Sequence, residues 1–158
     1  MRVAIVNLTA GGVSGGHKKY LANILPRLAV SPEIEKILLA APGAMRIVEW
    51  LPSLPKIDCA VCEPFSFSRP APRPAFKAIL DSFKPDIVFV PIERRFNYSA
   101  APVITMVQNM APLAAFSTTS GIREKVRSIA RRFETGRAVK SAKAVITPTE
   151  FVRETVLS

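Results

Sequence analysis

The densest group of residues suited to chemistry lies near the start of the chain. Four glycines fall within six positions, after a short apolar run and before a helical pattern; they are Gly11, Gly12, Gly15 and Gly16. Glycine lets backbone approach a ligand closely, and free N–H groups at a helix start bind anions. The spacing matches neither a G-x-G-x-x-G pattern nor a P-loop. The stretch predicts a ligand-facing loop, with a plain tight turn as the alternative.

Two other groups have the side chains of binding or redox sites. His17, the only histidine, follows the glycines. We expect its side chain either to contact an acceptor or a phosphate, or to be a partly exposed side chain of the first helical turn. Cys59 and Cys62 lie in a predicted strand, with side chains on opposite faces. Because structural zinc takes four ligands and the sequence cannot complete such a set here, we expect two buried thiols and no metal.

Composition restricts the class of protein. The 158 residues suit one domain with a full core, and about half of them are hydrophobic (49%). The formal net charge is +10, which favours an anionic partner such as a phosphorylated molecule, an acidic lipid or nucleic acid. No apolar run approaches the roughly 20 residues of a membrane span, and no secretory signal is recognisable. We expect a cytoplasmic protein.

Apolar runs and helical patterns alternate along the chain. Short buried strands are predicted at 3–6, 34–41, 57–62, 87–90, 102–107 and 144–146, and helices at 20–28, 44–51, 75–83, 121–143 and from 148 onward. Pro26 is expected to kink or shorten the first helix. A proline-rich loop, 64–74, is expected on the ligand side of the sheet. The alternation predicts an α/β, Rossmann-like doubly wound fold, with a mainly parallel sheet of about six strands and helices on both faces.

The long helix at 121–143 combines an apolar stripe with many basic residues. The stripe is expected to face the core and consists of Ile122, Val126, Ile129, Ala130 and Phe133. The basic residues form a solvated outer face or an anion-binding surface; they are Arg123, Lys125, Arg127, Arg131, Arg132, Arg137, Lys140 and Lys143.

The last helix has a clear start signal. Thr147 is the predicted N-cap, with Pro148 at the first helical position, and Glu150 is expected to return a hydrogen bond. Ile146 is expected to pack against Phe151. The helix continues to Ser158 without a stop signal. We therefore expect residues 1–158 to be one domain that forms half of a larger protein.

Four stretches, in order, carry a family resemblance. They are the opening MRVAIV with its glycine loop, KPDIVFV at 84–90, the strand and proline at 103–112, and the basic helix containing RRFE at 131–134, followed by AVITPTEFV at 144–152. Together they resemble the N-terminal domain of GT-B glycosyltransferases, specifically the retaining family four. The likeness spans nearly the whole chain.

The resemblance implies an enzyme with its active site between two Rossmann-like halves. This chain would be the acceptor-side half, inactive alone, with the C-terminal donor-binding half absent. The partners would be that second half, a nucleotide-sugar donor and a sugar or lipid acceptor, with no cofactor or metal. The glycine loop would approach the donor diphosphate, Gly15 and Gly16 most closely. Peripheral contact with the inner face of a membrane is a further expectation.

The resemblance also places cleft residues after the fifth strand. The family histidine there would fall at Gln108, with Asn109 next to it. Glutamine can hydrogen-bond a sugar hydroxyl but cannot exchange a proton. Any role that depends on an imidazole is therefore not expected here, and no catalytic residue is assigned.

Two other classes of protein remain as alternatives. A stand-alone basic module for nucleic acid would need aromatic side chains among its basic residues. Phe133 is the only aromatic of the basic helix and falls in its apolar stripe, so nucleic acid is not an expected partner. A small phosphate-binding domain would be expected to have a capped last helix.

Overall fold

The computed structural model describes residues 1–8, 15–43, 46, 49, 51, 53–64, 66, 70–108 and 122–157. The strands among them are β1 (Arg2–Val6), β2 (Lys36–Ala41), β3 (Ile57–Val61), β4 (Ile87–Val90), β5 (Val103–Met106) and β6 (Ala144–Ile146). The helices are α1 (Gly15–Val30), α2 (Pro74–Phe83), α3 (Ile122–Ser141) and α4 (Glu150–Leu157). The predicted helix at 44–51 lies largely outside the described residues.

The strands form one six-stranded parallel sheet in the order β3-β2-β1-β4-β5-β6. This is a Rossmann-like α/β fold, which confirms the fold expected from the alternating pattern. The strand order reverses between β1 and β4, so the carboxyl ends of these two strands border the topological switch point. Open α/β sheets bind ligands in the crevice at this position.

Two apolar cores cover the two faces of the sheet. On one face, alternate residues of β1, β2 and β4 pack with Leu21 and Leu25 of α1. On the other face, the intervening residues pack with Phe76, Leu80 and Phe83 of α2. The central strands are apolar at consecutive positions because both of their faces are covered. The expected helices on both faces are therefore present.

Two predictions about helix ends differ from the structure. Helix α1 is not shortened at Pro26 but continues to Val30, where Leu25 and Ala29 on either side of the proline are buried; a kink at Pro26 stays a prediction. At α4 the cap is Thr149, whose Oγ1 accepts the N–H of Val152 at 3.3 Å, and not Thr147. Thr147 and Thr149 are two residues apart, and the second of them is the N-cap of α4.

The prediction for the apolar stripe of α3 was also wrong. Val126, Ile129, Ala130 and Phe133 are exposed, and Ile122 has no described side-chain environment. The buried residues of α3 lie nearer its C-terminal end and are Glu134, Thr135 and Ala138. Periodicity shows that one side of a helix is apolar, but the covering partner must come from elsewhere in the fold.

Candidate functional site

The carboxyl edge of the sheet is held together by hydrogen bonds around Asn7, which follows β1 and is fully buried. Its N–H donates to the carbonyl of Ala40 at 2.8 Å, and its carbonyl accepts the Cys62 thiol at 3.4 Å. These contacts connect the ends of β1, β2 and β3. A ligand at this edge would therefore meet a rigid floor.

A cleft of about 260 Å³ opens at this edge. Leu8 after β1, Pro64 after β3, and Phe76 at the start of α2 contribute to its walls. Phe96, from the segment after β4, also lines it and lies beside Phe76, with ring centroids 6.4 Å apart and planes tilted by 53°. The proline-rich loop contributes Pro70 and Pro72, which agrees with its expected position on the ligand side.

Two charged side chains of opposite sign line the cleft. Arg73 Nε lies 4.0 Å from Glu63 Oε1, and both side chains retain access to solvent. An ion pair this long and exposed contributes little to stability. The two groups are therefore available to a ligand, the carboxylate as an acceptor and the guanidinium as a donor.

Helix α2 begins in the wall of this cleft. Arg73 occupies its N-cap position without a side-chain capping bond, and Pro74 opens the first turn. The positive end of the helix dipole therefore lies beside the cleft. Together with Arg73 it favours a ligand rich in oxygen atoms.

Gln108 directly follows β5 and is half-buried at the same edge. Its backbone N–H donates to Glu93 Oε1 at 3.1 Å, and its side-chain Nε2 lies 3.4 Å from the sulfur of Met106. Glu93 follows β4, so its carboxylate connects the ends of β4 and β5. Gln108 therefore lies at the carboxyl edge, at the end of the strand next to β4, and its role as a cleft residue stays a prediction.

The other predicted site residues are only partly described. Gly15 and Gly16 form the first turn of α1, and His17 follows them in the same turn. No glycine among the described residues has positive φ. Gly11, Gly12 and Asn109 lie outside the described residues. Since β4 lies between β1 and β5, the carboxyl ends of β1 and β5 are roughly 10 Å apart, two strand spacings.

Sequence reasoning missed the residues with the clearest geometry. Glu63, Arg73 and Phe96 lie in loops of no recognisable motif, and the fold alone brings them together. Glu93 carried a usable signal, because it is the first charged residue after the buried strand β4, and the residues that follow a parallel strand lie at the carboxyl edge of the sheet. The expectation of two buried thiols was half wrong, since Cys62 is buried but Cys59 is exposed.

No group of three histidine, cysteine or acidic side chains is placed to hold a metal ion among the residues with described positions. Within the same residues, none of the helices has both the length and the apolar character to cross a membrane. Comparison with protein-family models, curated proteins and solved structures found no match to this chain.

Proposed function

We propose that this chain is the acceptor-side domain of a GT-B glycosyltransferase, a retaining enzyme of the family-four type. The complete enzyme would move a sugar from a nucleotide-sugar donor to a glycan, lipid or small-molecule acceptor. The cleft beside the switch point of the Rossmann-like sheet is the observation that carries this proposal. Such a position is where open α/β sheets place their ligands.

The size and lining of the cleft support a sugar-sized ligand. Its volume of about 260 Å³ lies just below the roughly 300 Å³ at which ligand pockets for drug-sized molecules begin. Phe76 and Phe96 give it an apolar floor, while Glu63 and Arg73 supply an acceptor and a donor for hydroxyl groups. This combination suits a saccharide ring better than a whole nucleotide-sugar.

The start of α1 is a second, separate candidate site, suited to an anion. Gly15, Gly16 and His17 lie in its first turn, where backbone N–H groups lack partners within the helix. We propose that these amides approach the donor diphosphate and stabilise the charge that develops on it as the sugar leaves. Gln108, and Asn109 beside it, would hydrogen-bond sugar hydroxyls.

The proposal assigns the chemistry to the cleft between two domains. The chain alone would therefore be inactive, and no cofactor or metal would be needed. Its partners would be the donor, the acceptor and its own C-terminal domain, in the cytoplasm or at the inner face of its membrane. Nucleic acid is the partner of the alternative, a stand-alone basic anion-binding module.

Mapping backbone amide shifts of the ¹⁵N-labelled chain by NMR tests the acceptor site. The probes are methyl glycosides of glucose, mannose, galactose and N-acetylglucosamine, with pyrophosphate as a separate probe. At least one glycoside should shift amides around Leu8, Glu63 and Phe96. Amides at the opposite, amino edge of the sheet, such as those of Lys36 and Asp58, should not move.

Variants separate a specific site from weak surface contact. Glu63→Gln and Arg73→Gln should weaken the glycoside shifts severalfold. Lys77→Gln is the control and should leave the glycoside shifts unchanged, because Lys77 lies in α2, which Arg73 caps, but pairs with Asp81 outside the cleft. Binding of pyrophosphate without any glycoside would replace the proposal with the anion-binding alternative. Glycoside shifts at the amino edge would overturn the site assignment.

A further inference from the structure

The stretch of α3 from Val126 to Phe133 carries an apolar row that the rest of the described chain leaves uncovered. Val126, Ile129 and Phe133 are exposed by 62%, 57% and 64%. At 100° per residue these three side chains fall within about 60° of the helix circumference. They form one continuous strip along the helix and are not isolated exposed residues.

This part of α3 makes little use of the protein core. Among its described side chains from Val126 to Phe133, none is buried. The buried anchor lies further along, where Glu134 Oε1 accepts the backbone N–H of Arg95 at 3.0 Å. The helix is therefore attached from Glu134 onward, and the stretch before it, from Val126 to Phe133, presents the apolar row outward.

Basic side chains lie beside the row. Arg131, Arg132, Arg137 and Lys140 are all exposed; at 100° per residue Arg137 and Lys140 fall on the side of the row, Arg132 on its flank and Arg131 on the opposite side of the helix. The guanidinium of Arg137 lies over the ring of Phe133, 5.3 Å from its centroid. No salt bridge involving these four residues occurs within the described part of the chain. The surface therefore combines uncompensated basic groups with exposed apolar side chains.

We propose that this surface of α3 docks on a bilayer of anionic phospholipid. The row of Val126, Ile129 and Phe133 would enter the boundary between headgroups and acyl chains, and the neighbouring arginine and lysine side chains would contact lipid phosphates. The row is the part of the helix that the sequence pattern assigned to the core. The inference rests on α3 alone and holds whether or not the chain is part of a sugar transferase.

Charge and side-chain type decide between the lipid and other occupants. A second copy of the chain would bring the same basic side chains against this surface, and like charges in contact oppose association. Nucleic acid would use several aromatic rings for stacking on bases. Phe133 is exposed, although the sequence pattern placed it in the apolar stripe. Its neighbours in the row are aliphatic and one side of its ring faces Arg137, so the row offers no set of rings for stacking on bases.

Co-sedimentation with vesicles tests the proposal. The 158-residue chain should bind vesicles containing phosphatidylglycerol and phosphatidylcholine, and bind pure phosphatidylcholine vesicles much more weakly. The triple variant V126S/I129S/F133S should lose at least about tenfold in affinity, because the apolar contribution is removed. The variant R132Q/K140Q should lose about 25-fold, at roughly fivefold for each basic residue removed.

Matched variants on α1 control for the change in charge and hydrophobicity. K19Q/R27Q removes two exposed basic residues, and V30S removes an exposed apolar one; both should bind anionic vesicles like the unaltered chain. Because every altered side chain is exposed, the thermal unfolding midpoints of all variants should stay close together. That comparison separates loss of binding from loss of folding.

Several outcomes would overturn the proposal. Absence of binding to anionic vesicles would do so, as would equal losses from the α1 and α3 charge variants. Full binding by V126S/I129S/F133S would exclude insertion of the row. A concentration-dependent dimer that this triple variant abolishes would assign the surface to a second copy. Salt-sensitive binding to single-stranded oligonucleotides, with no binding to vesicles, would assign it to nucleic acid.

Discussion

Acidic side chains fasten the loops at the carboxyl edge by accepting backbone N–H groups. Glu93 accepts the N–H of Gln108, and Glu134 accepts that of Arg95. Each bond connects segments far apart in sequence, and Glu134 is almost fully buried. Buried or half-buried N–H groups are costly when unpaired, so these carboxylates shape the loops on which the proposed site lies.

Removing the Glu93 carboxylate should therefore lower stability. Glu93→Ala leaves the N–H of Gln108 without this acceptor, which we expect to lower the free energy of unfolding by about 1–2 kcal/mol. Glu93→Gln keeps an acceptor oxygen and should cost less. Urea unfolding measures both, with the exposed residue Glu154→Ala as control. A loss from Glu93→Ala no larger than that of the control would show that the bond has no net value.

The buried thiol of Cys62 should make stability depend on alkaline pH. Burial raises the pKa of this thiol to about 12. In the unfolded chain the thiol ionises near pH 8.5, so between about pH 9 and 12 the unfolded state has lost a proton that the folded state retains. Stability contributed by the neutral thiol is present below this window and is lost as pH rises through it.

The measurement compares the unaltered chain with Cys62→Ala in urea unfolding at about pH 8, 9.5 and 10.5, a range chosen from the reference thiol pKa. The unaltered chain should lose stability more steeply than the variant, since tyrosine and lysine titrations occur in both and cancel in the difference. Parallel curves would contradict the assigned pKa. In the folded protein a thiol reagent should modify the exposed Cys59 and spare Cys62.

At the scale of elements, the sequence was most informative about the buried strands. The strands at 87–90 and 144–146 were predicted with their observed bounds, and the other four within two residues. Parallel strands covered on both faces are continuous apolar runs, and such runs are visible without any tertiary information. The positions of the proline-rich loop and of Gln108 at the carboxyl edge could be predicted for the same reason, since both follow a buried strand.

Features that depend on contacts between elements could not be predicted. The apolar side of α3 was visible, but its exposure depends on where neighbouring segments lie. Glu63 and Arg73 lie at opposite ends of the connection between β3 and α2, and Phe96 lies in the segment after β4; the cleft that they share exists only once the sheet is assembled. Their types and spacing in the sequence resemble those of ordinary surface loops.

The start of α4 allows a paired test of an element boundary. Thr149→Ala removes the hydroxyl that accepts the N–H of Val152 and should destabilise the helix by about 1 kcal/mol, the usual value of an N-cap. Thr147→Ala, at the position favoured by the sequence pattern, should be nearly neutral. Hydrogen exchange of the α4 amides measures the loss of stability in this helix alone. Faster exchange in Thr147→Ala than in Thr149→Ala would restore the earlier position of the cap.

At the scale of the whole molecule, the two proposed activities belong to two different surfaces. The carboxyl edge of the sheet holds a small cleft with an acidic and a basic group. Helix α3 presents apolar and basic side chains outward between Val126 and Lys140. The net charge of +10 agrees with anionic ligands at both, a diphosphate at one and a lipid surface at the other.

Nucleotide release by the complete gene product is the most direct test of the proposed glycosyltransferase activity. A panel of nucleotide-sugars is offered with and without saccharide or lipid acceptors. If the protein is a glycosyltransferase, we expect it to release nucleotide from at least one donor, and to do so faster when an acceptor is present. Glu63→Gln should raise the KM for the acceptor severalfold, and Lys77→Gln should leave it unchanged. A folded, complete protein that releases nucleotide from no donor in the panel would contradict the proposed activity.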